Sequence, residues 1–507
     1  MANLLIPCSG PGTRSSGYTK FHKTLNRIGN CAVIDHIIAS YTDIATIYVT
    51  LGYQGDLVRE YLTHAGYTNI EYIEIDNWSE GQIASFKQIP EYVFDNPLYY
   101  NACDNWSTSV PVVDDNTFFT CAPENSTHYD TDNDLVYSGI SFMRDSTDYY
   151  QAIRSATHNR NDLLLMKELS SLQHLALEDW YDVGNRESNS NTKLNFKEDF
   201  SVLDKTHQEV YKVNNRIVKL FDLATDINVH NNTFPHPQPV LKTSNALSYP
   251  YANGTVNPYG DDFLKLLDNL RRLWKYSLTN NAPVFTRELW QDKTWQRFEM
   301  MCQLDEKYAG VITIDGVDVD CTKVIESIDW DILNTGTLGP CHGDLTVDNI
   351  VVSDTNIYYI DHRQGKVNDV FYDVCKFYQS LHVHSNNLAN LVAGKDFITS
   401  DDTVRLELFR DSDVYKNNKH KIELGVGCLW LCMAPLNVDL QLNHQLFTWA
   451  IKHLYYHSFY KFSILILLLS LNSHISLYLS HRSIDPYFEL VCVRDLFLYY
   501  LSLKIRK

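Results

Sequence analysis

His342-Gly343-Asp344-Leu345-Thr346-Val347-Asp348-Asn349 sets a histidine, an acid and an amide at fixed offsets on one short segment. After it, Ile357-Tyr358-Tyr359-Ile360-Asp361 is an apolar run ending in a second acid. Phosphoryl transfer to a hydroxyl needs an acid to accept the hydroxyl proton, an asparagine on the metal, and a further acid between metal and phosphates. The HxDxxxxN pattern supplies the first two on one loop, and the apolar run delivers the third twelve residues beyond Asn349. A second group lies near the start of the chain, where Ser9-Gly10-Pro11-Gly12-Thr13-Arg14 follows the apolar run Leu4–Pro7. Glycines there let backbone N–H groups close on phosphate oxygens with no Cβ in the way. Arg14 adds a planar fork of donors suited to a triphosphate. A GxG alone reads as a plain turn. Here it is followed in order by Lys23-Thr24-Leu25, Ile28-Gly29 and Val33-Ile34-Asp35-His36.

That ordered string resembles the sugar-nucleotidyltransferase family, with its GxGTR loop and its PKxLxxIxGxPxI segment. The relatives include hexose-1-phosphate nucleotidyltransferases and phosphocholine cytidylyltransferases, and the family proline is His22 here. The resemblance spans about residues 1–195. It implies a Rossmann-like α/β domain whose Gly10, Gly12, Thr13 and Gly81 bind nucleotide and whose Arg14 and Lys23 are catalytic. It also implies two Mg²⁺ ligands. One is Asp104, in Tyr99-Tyr100-Asn101-Ala102-Cys103-Asp104, and the other is Asp182, in Trp180-Tyr181-Asp182-Val183-Gly184. An Mg²⁺ ion wants carboxylates together with phosphate oxygens in octahedral geometry. Gly81-Gln82 falls where relatives approach the base or the acceptor, and also reads as a simple loop. Ser138-Gly139-Ile140-Ser141-Phe142 is similar to a family strand beside the acceptor, and equally reads as core.

The second string resembles the aminoglycoside phosphotransferase and choline kinase family over about residues 196–458. The resemblance implies a two-lobed α+β protein-kinase-like domain. In it Asp344 is the base, Asn349 and Asp361 are metal ligands, and His342 is structural. Asp369, Asp373 and Lys376 continue the likeness on a following helix. Lys212, in Glu209-Val210-Tyr211-Lys212, is similar to the family's ATP lysine, with Lys219 as its rival. Tyr249 and Tyr251, in Ser248-Tyr249-Pro250-Tyr251, look like the hinge that meets adenine.

These residues need elements to hold them. Ile47–Leu51, Ile70–Ile75 and Leu98–Tyr100 read as strands, and Cys31–Tyr41 and Leu57–His64 as helices, an alternation that implies a mostly parallel sheet. The chain turns polar at Asn189–Lys197, where a domain boundary is placed. Phe200–Leu203 and Glu209–Val213 follow as strands. A helix is expected near Asp261–Trp274, because Phe263, Leu266, Leu267, Leu270 and Trp274 recur at helical spacing. Residues 459–507 match neither family. Within them, Phe462–Leu479 approaches the length of a membrane span, but Ser463, Ser470, Asn472, Ser473, His474 and Ser476 interrupt it. A packed or irregular helix is favoured there over a membrane anchor.

The chain of 507 residues has a formal charge of −19, which disfavours general nucleic-acid binding. Its eleven cysteines include no CxxC pair; Cys428 and Cys432, one helical turn apart in an apolar run, read as buried thiols of a reducing compartment. Met1 is followed at once by Asn3–Pro7 with no secretory pattern, so a cytoplasmic location is expected. The reading is a bifunctional enzyme. An ATP-dependent kinase would phosphorylate a small alcohol or sugar. A nucleotidyltransferase would then cap such a phosphate from an NTP, CTP or UTP, as a precursor for surface polysaccharide. Three alternatives stand: a choline kinase joined to a phosphocholine cytidylyltransferase, two enzymes on unrelated substrates, or one domain as a degenerate nucleotide-binding module. Choline would call for an aromatic cage. With 33 Tyr, 22 Phe and 9 Trp the composition identifies none, and Trp430 reads equally as core.

Overall fold

The computed structural model describes residues 1–15, 17–122, 131–132, 135–156, 172–196, 208–222, 234–280, 282–363, 368–393, 395, 397–437 and 439–458. The expected strand at 200–203 and the apolar stretch 462–479 lie outside these residues. Among the described residues, no helix is long and apolar enough to cross a membrane. The chain forms two compact units, Met1–Asn231 with Pro235–Asn253, and Asn232–Phe234 with Gly254–Lys507.

The first unit is built on a mixed sheet. Its elements begin with β1 (Ala2–Cys8), α1 (Val33–Ala39), β2 (Ile44–Leu51), α2 (Gly55–Ala65), β3 (Ile70–Glu74) and β4 (Leu98–Asn101). They continue with β5 (Thr117–Cys121), β6 (Leu135–Met143) and β7 (Gln173–Ala176). The strand order is β7-β5-β6-β4-β1-β2-β3. Strands β4, β1, β2 and β3 run parallel, β7 is parallel to β5, and β6 is antiparallel to both its neighbours. Leu4, Leu5 and Ile6 are fully buried, as a parallel strand covered on both faces requires. The helix expected over Cys31–Tyr41 begins later, because Cys31–Ala32 pairs with Arg27–Ile28 in a two-residue ladder.

Beyond residue 195 the chain stays in this unit, where β8 (Gln208–Val213), β9 (Arg216–Phe221), β10 (Leu241–Lys242) and β11 (Ala246–Pro250) form an antiparallel sheet in the order β8-β9-β11-β10. One face of it carries Tyr211, Val213, Val218, Leu220 and Ala246 into the core shared with α2. On α2, Val58, Tyr61, Leu62 and Ala65 recur at i, i+3, i+4 and i+7 and are all buried. The rings of Tyr61 and Tyr211 meet edge to face at 4.7 Å, and the His64 imidazole lies 2.9 Å from the Ser248 hydroxyl.

The second unit is mainly helical. It comprises α3 (Gly260–Asn280), α4 (Lys293–Leu304), the hairpin β12 (Ile350–Val352) and β13 (Ile357–Tyr359), α5 (Val370–His382), α6 (Ser400–Arg410) and α7 (Asp413–Met433), with a further helix over 440–458. The face of α3 expected from its spacing is buried, with Phe263, Leu266, Leu267, Leu270 and Trp274 each at most 1% exposed. They join one core with Phe377 and Leu381 of α5 and Leu424 and Leu431 of α7. Cys428 and Cys432 are buried free thiols on α7.

Candidate functional site

In the first unit, β1 and β4 run parallel, so the Ser9–Arg14 loop and Asp104 leave the same edge of the sheet. Open α/β sheets bind ligands at such an edge. A cavity of about 420 Å³ opens there, with Gly10, Arg14, Lys23, Gly81, Gln82 and Asp104 on its wall. Gly12 and Thr13 lie in the turn that follows, which is closed by the Ser15 N–H donating to the Gly12 carbonyl at 2.8 Å. The Gly10 carbonyl lies 3.1 Å from His22 Nε2, while the Thr24 N–H donates to His22 Nδ1 at 3.3 Å. The second contact requires a neutral ring, because Nδ1 accepts in it. Burial first of all, and then the Lys23 charge, lower the His22 pKa to about 4.

Lys23 Nζ lies 2.7 Å from Asp104 Oδ2. Burial opposes the charge on each, but the ion pair prevails: the Asp104 carboxyl is held below its ordinary value and the Lys23 ammonium above it. Asp182 is brought in by a short ladder in which Asp182 pairs with Asn105 and Tyr181 with Trp106. The Val183 N–H also donates to the Asp104 carbonyl at 2.9 Å. Gly184 sits between the two acids. A Cβ there would lie 3.0 Å from Asp182 Oδ1 and 3.2 Å from Asp104 Oδ2, both tighter than ordinary contact. Asp104 and Asp182 are 4% and 6% exposed, so two carboxylates converge in a largely dehydrated place with one lysine against them. Oxygen donors of this kind suit a hard cation such as Mg²⁺, and Asp104 and Asp182 would hold it.

Several residues of this site escaped the sequence reading. Tyr18 donates its hydroxyl to the Val183 carbonyl at 2.5 Å, and burial, then Asp104 and Asp182, push it up to about 12. Trp78 and Tyr137 also face the cavity, and the Gln82 side-chain amide donates to the Tyr100 hydroxyl at 3.1 Å. Of the strand Ser138–Phe142, Gly139 reaches the cavity wall.

In the second unit, the His342–Asn349 loop is clamped from two sides. The N–H groups of His342 and Gly343 donate to the two oxygens of Asp373 on α5. His342 Nε2 donates to the Ile360 carbonyl at 2.8 Å, and the Asp344 N–H donates to His342 Nδ1 at 3.3 Å. His342 thus shapes the loop as a neutral, fully buried ring. The Asn349 side-chain amide donates to the Asp344 carbonyl at 2.9 Å. Asp344 carries two cations, Lys376 Nζ at 3.1 Å and Arg363 Nε at 3.3 Å. Burial would raise its pKa, but these cations hold it below the ordinary value, so it is ionised.

Asp361 is fixed by backbone bonds on either side. The Ile360 N–H donates to Asn349 at 2.9 Å and the Arg363 N–H donates to His342 at 2.8 Å. Asp361 itself adopts φ +60°, a left-handed conformation rare for a residue with a side chain. The β12–β13 hairpin thereby holds the residue before it, Ile360, against the Asn349 backbone. Asparagine and aspartate oxygens again fit Mg²⁺, which Asn349 and Asp361 would hold. Asp369 caps α5 by accepting from the Phe371 N–H at 3.0 Å, and also accepts from the Trp290 indole at 3.2 Å. Burial raises the Asp373 carboxyl to about 7.

The β8–β11 sheet places Lys212 opposite Ile217 and Lys219 opposite Val210, so both lysines share the face turned away from α2. The Lys212 ammonium lies 3.9 Å from the centre of the Tyr251 ring and that of Lys219 5.5 Å from the Tyr249 ring. Lys219 is 5% exposed and Lys212 is half-buried. Strand register does not separate the two lysines.

No family model matches this chain, and no curated protein sequence does. Among solved structures, a CTP:phosphocholine cytidylyltransferase from Streptococcus pneumoniae is similar, at 15% identity and TM-score 0.34, over 39% of this chain and 99% of that one. A nucleoside-diphosphate-sugar pyrophosphorylase from Vibrio cholerae is similar at 14% identity and TM-score 0.31, over 38% of this chain and 99% of that one. An inositol-1-phosphate CTP transferase from T. maritima gives 14% identity and TM-score 0.31, over 40% of this chain and 98% of that one.

Proposed function

We propose that the chain is a bifunctional transferase: a nucleotidyltransferase in its first unit, and an ATP-dependent small-molecule kinase resting on the Asp344 loop. The observation that carries the first activity is the meeting of Lys23, Asp104 and Asp182 around Gly184, beside a cavity walled by Gly10 and Arg14. In the reaction a phosphate oxygen of the acceptor attacks the α-phosphorus of an NTP. The new P–O bond forms as the bond to the β-phosphate oxygen breaks, and pyrophosphate leaves. Arg14 and Lys23 neutralise the charge that gathers on the phosphates, and the loop positions them. Mg²⁺ held by Asp104 and Asp182 would supply further charge neutralisation. No protein nucleophile is needed.

In the second activity Asp344 accepts the proton of an alcohol whose oxygen attacks the γ-phosphorus of ATP, and ADP leaves. Lys376 and Arg363 keep Asp344 ionised and orient it. Asn349 and Asp361 would hold Mg²⁺, which would supply charge neutralisation on the phosphates of ATP. Consecutive use of the two activities fits the making of an activated precursor for surface polysaccharide, with CTP or UTP as the second nucleotide. The acceptor class is a sugar or an amino alcohol. The test is a screen of both classes with ATP and Mg²⁺, followed by each phosphate with the four NTPs, reading ADP and pyrophosphate. Turnover in both stages is expected. Nucleotide binding without turnover in any combination overturns the proposal in favour of a binding module.

A further inference from the structure

On the second unit, away from the Asp344 loop in sequence, α7 and the helix over 440–458 bring together Glu423, His453 and His457. The two histidines are four residues apart, so one helical face presents both. Their rings lie 4.5 Å apart between centres, inclined at 44°. Glu423 Oε2 lies 3.0 Å from His453 Nε2 and 3.7 Å from His457 Nε2. All three potential ligand atoms fall within 4.8 Å of one another. Ligands at about 2.0–2.1 Å from a tetrahedral ion stand about 3.3 Å from each other, so the spacing is close to that of a formed site.

The surroundings are those of a held ligand set. The second oxygen of Glu423 accepts from the Tyr415 hydroxyl, and the Tyr378 hydroxyl lies 3.4 Å from it. The carboxylate is thus fixed and its Oε2 aimed at the histidines. Trp430 meets the His453 ring edge to face at 5.0 Å and limits its rotation. Exposure rises along the set, with side chains of Glu423, His453 and His457 at 5%, 18% and 31%. All three line a cavity of about 570 Å³.

We infer that Glu423, His453 and His457 form a site for a divalent transition metal, zinc being the best match, with its fourth position open to this cavity. Two imidazoles and one carboxylate with an open position are a common zinc donor set. Nitrogen donors disfavour Mg²⁺ and Ca²⁺. The cavity wall also carries Arg410, Lys419 and Lys452. Lys452 is paired with Asp315 at 2.7 Å. These cations favour water or a small anion in the fourth position over a neutral organic ligand. His453 Nε2 also lies 3.1 Å from the Glu423 carbonyl.

The test uses the full chain, stripped with a chelator and titrated with Zn²⁺ against a chromophoric competitor, with millimolar Mg²⁺ present to occupy oxygen-only sites. One equivalent of Zn²⁺ is expected, and Co²⁺ substituted for it should give the intense visible bands of a four-coordinate site. His457→Ala, on the most exposed of the three ligands, should lose the site by at least about tenfold in affinity while its circular dichroism is unchanged. Tyr415→Phe should weaken it by about tenfold through the carboxylate. Absence of stoichiometric Zn²⁺ binding overturns the inference. So does undiminished binding in a folded His457→Ala chain, which would place the ion elsewhere. Neither result bears on the two transferase activities.

Discussion

Asp182 and Asn105 stand opposite each other in a two-residue antiparallel ladder, and this pairing carries Asp182 to Asp104. Residues far apart in the chain thereby share the one small neighbourhood that Lys23 also enters. Asp104→Asn and Asp182→Asn should each lower pyrophosphate release from NTP and acceptor phosphate by about a hundredfold or more. Phosphorylation by ATP should be unchanged. A variant that keeps full nucleotidyl transfer would remove its carboxylate from the mechanism.

Gly184 offers a subtler probe. Its missing side chain leaves room for the two acids, and Gly184→Ala would push a methyl group to within 3.0 Å of Asp182 and 3.2 Å of Asp104. The expected result is a loss of about tenfold or more in kcat/KM for nucleotidyl transfer with the thermal midpoint nearly unmoved. Activity equal to the parent would mean the carboxylates have freedom that the geometry denies them.

Loss of charge in the loop should act on nucleotide use. Arg14→Ala and Lys23→Ala are expected to raise KM for NTP and lower kcat, and to leave ATP-dependent phosphorylation intact. Unchanged pyrophosphate release in both would reduce the Ser9–Arg14 segment to a turn.

The kinase assignment is tested by Asp344→Asn and Asp361→Asn. Each should reduce ADP production by about a hundredfold or more while nucleotidyl transfer onto supplied phosphate survives. Retained kinase activity in either would sink the assignment.

Acid should destabilise the first unit through His22. Its folded pKa is lowered from 6.5 to about 4, so the unfolded chain takes up the proton first as pH falls. Stability is therefore complete above pH 6.5 and declines towards pH 4, by roughly 2 kcal/mol at pH 5 from this group alone. Urea unfolding between pH 7 and pH 5 reads the slope. His22→Gln, whose amide can donate to Gly10 and accept from Thr24, should flatten it; an unaltered slope would assign the acid sensitivity to other groups.

Motifs carried by neighbouring residues were legible in the chain. Ser9–Arg14 does follow a buried strand, and Ile357–Tyr359 does form a hairpin strand, after which the Ile360 N–H donates to the Asn349 carbonyl. Ile47–Leu51 and the apolar face of α3 were equally readable, because periodicity records which side of an element is buried. Long-range pairing left no such trace. Nothing near Trp180 announces that Tyr181 and Asp182 will pair with Trp106 and Asn105. Tyr18, Trp78 and Tyr137 entered the first site only through folding, since one aromatic among many carries no local signal. The histidines at 453 and 457 have a visible spacing, but their partner Glu423 belongs to a different helix.

The packing of Tyr211 against Tyr61 has a consequence for how this gene can be cut or recombined. The polar stretch Asn189–Lys197 invites a cut at residue 195. A fragment ending there would strip β8, β9 and β11 from α2 and leave the ring of Tyr61 and the faces of Val58 and Leu62 without the cover of Tyr211, Val218 and Leu220. Such a piece should be sticky and poorly soluble. A fragment carried through Asn253 keeps that cover. The strands beyond residue 195 are part of what keeps the first unit folded, so the chain cannot be divided at the seam where the sequence is most easily read.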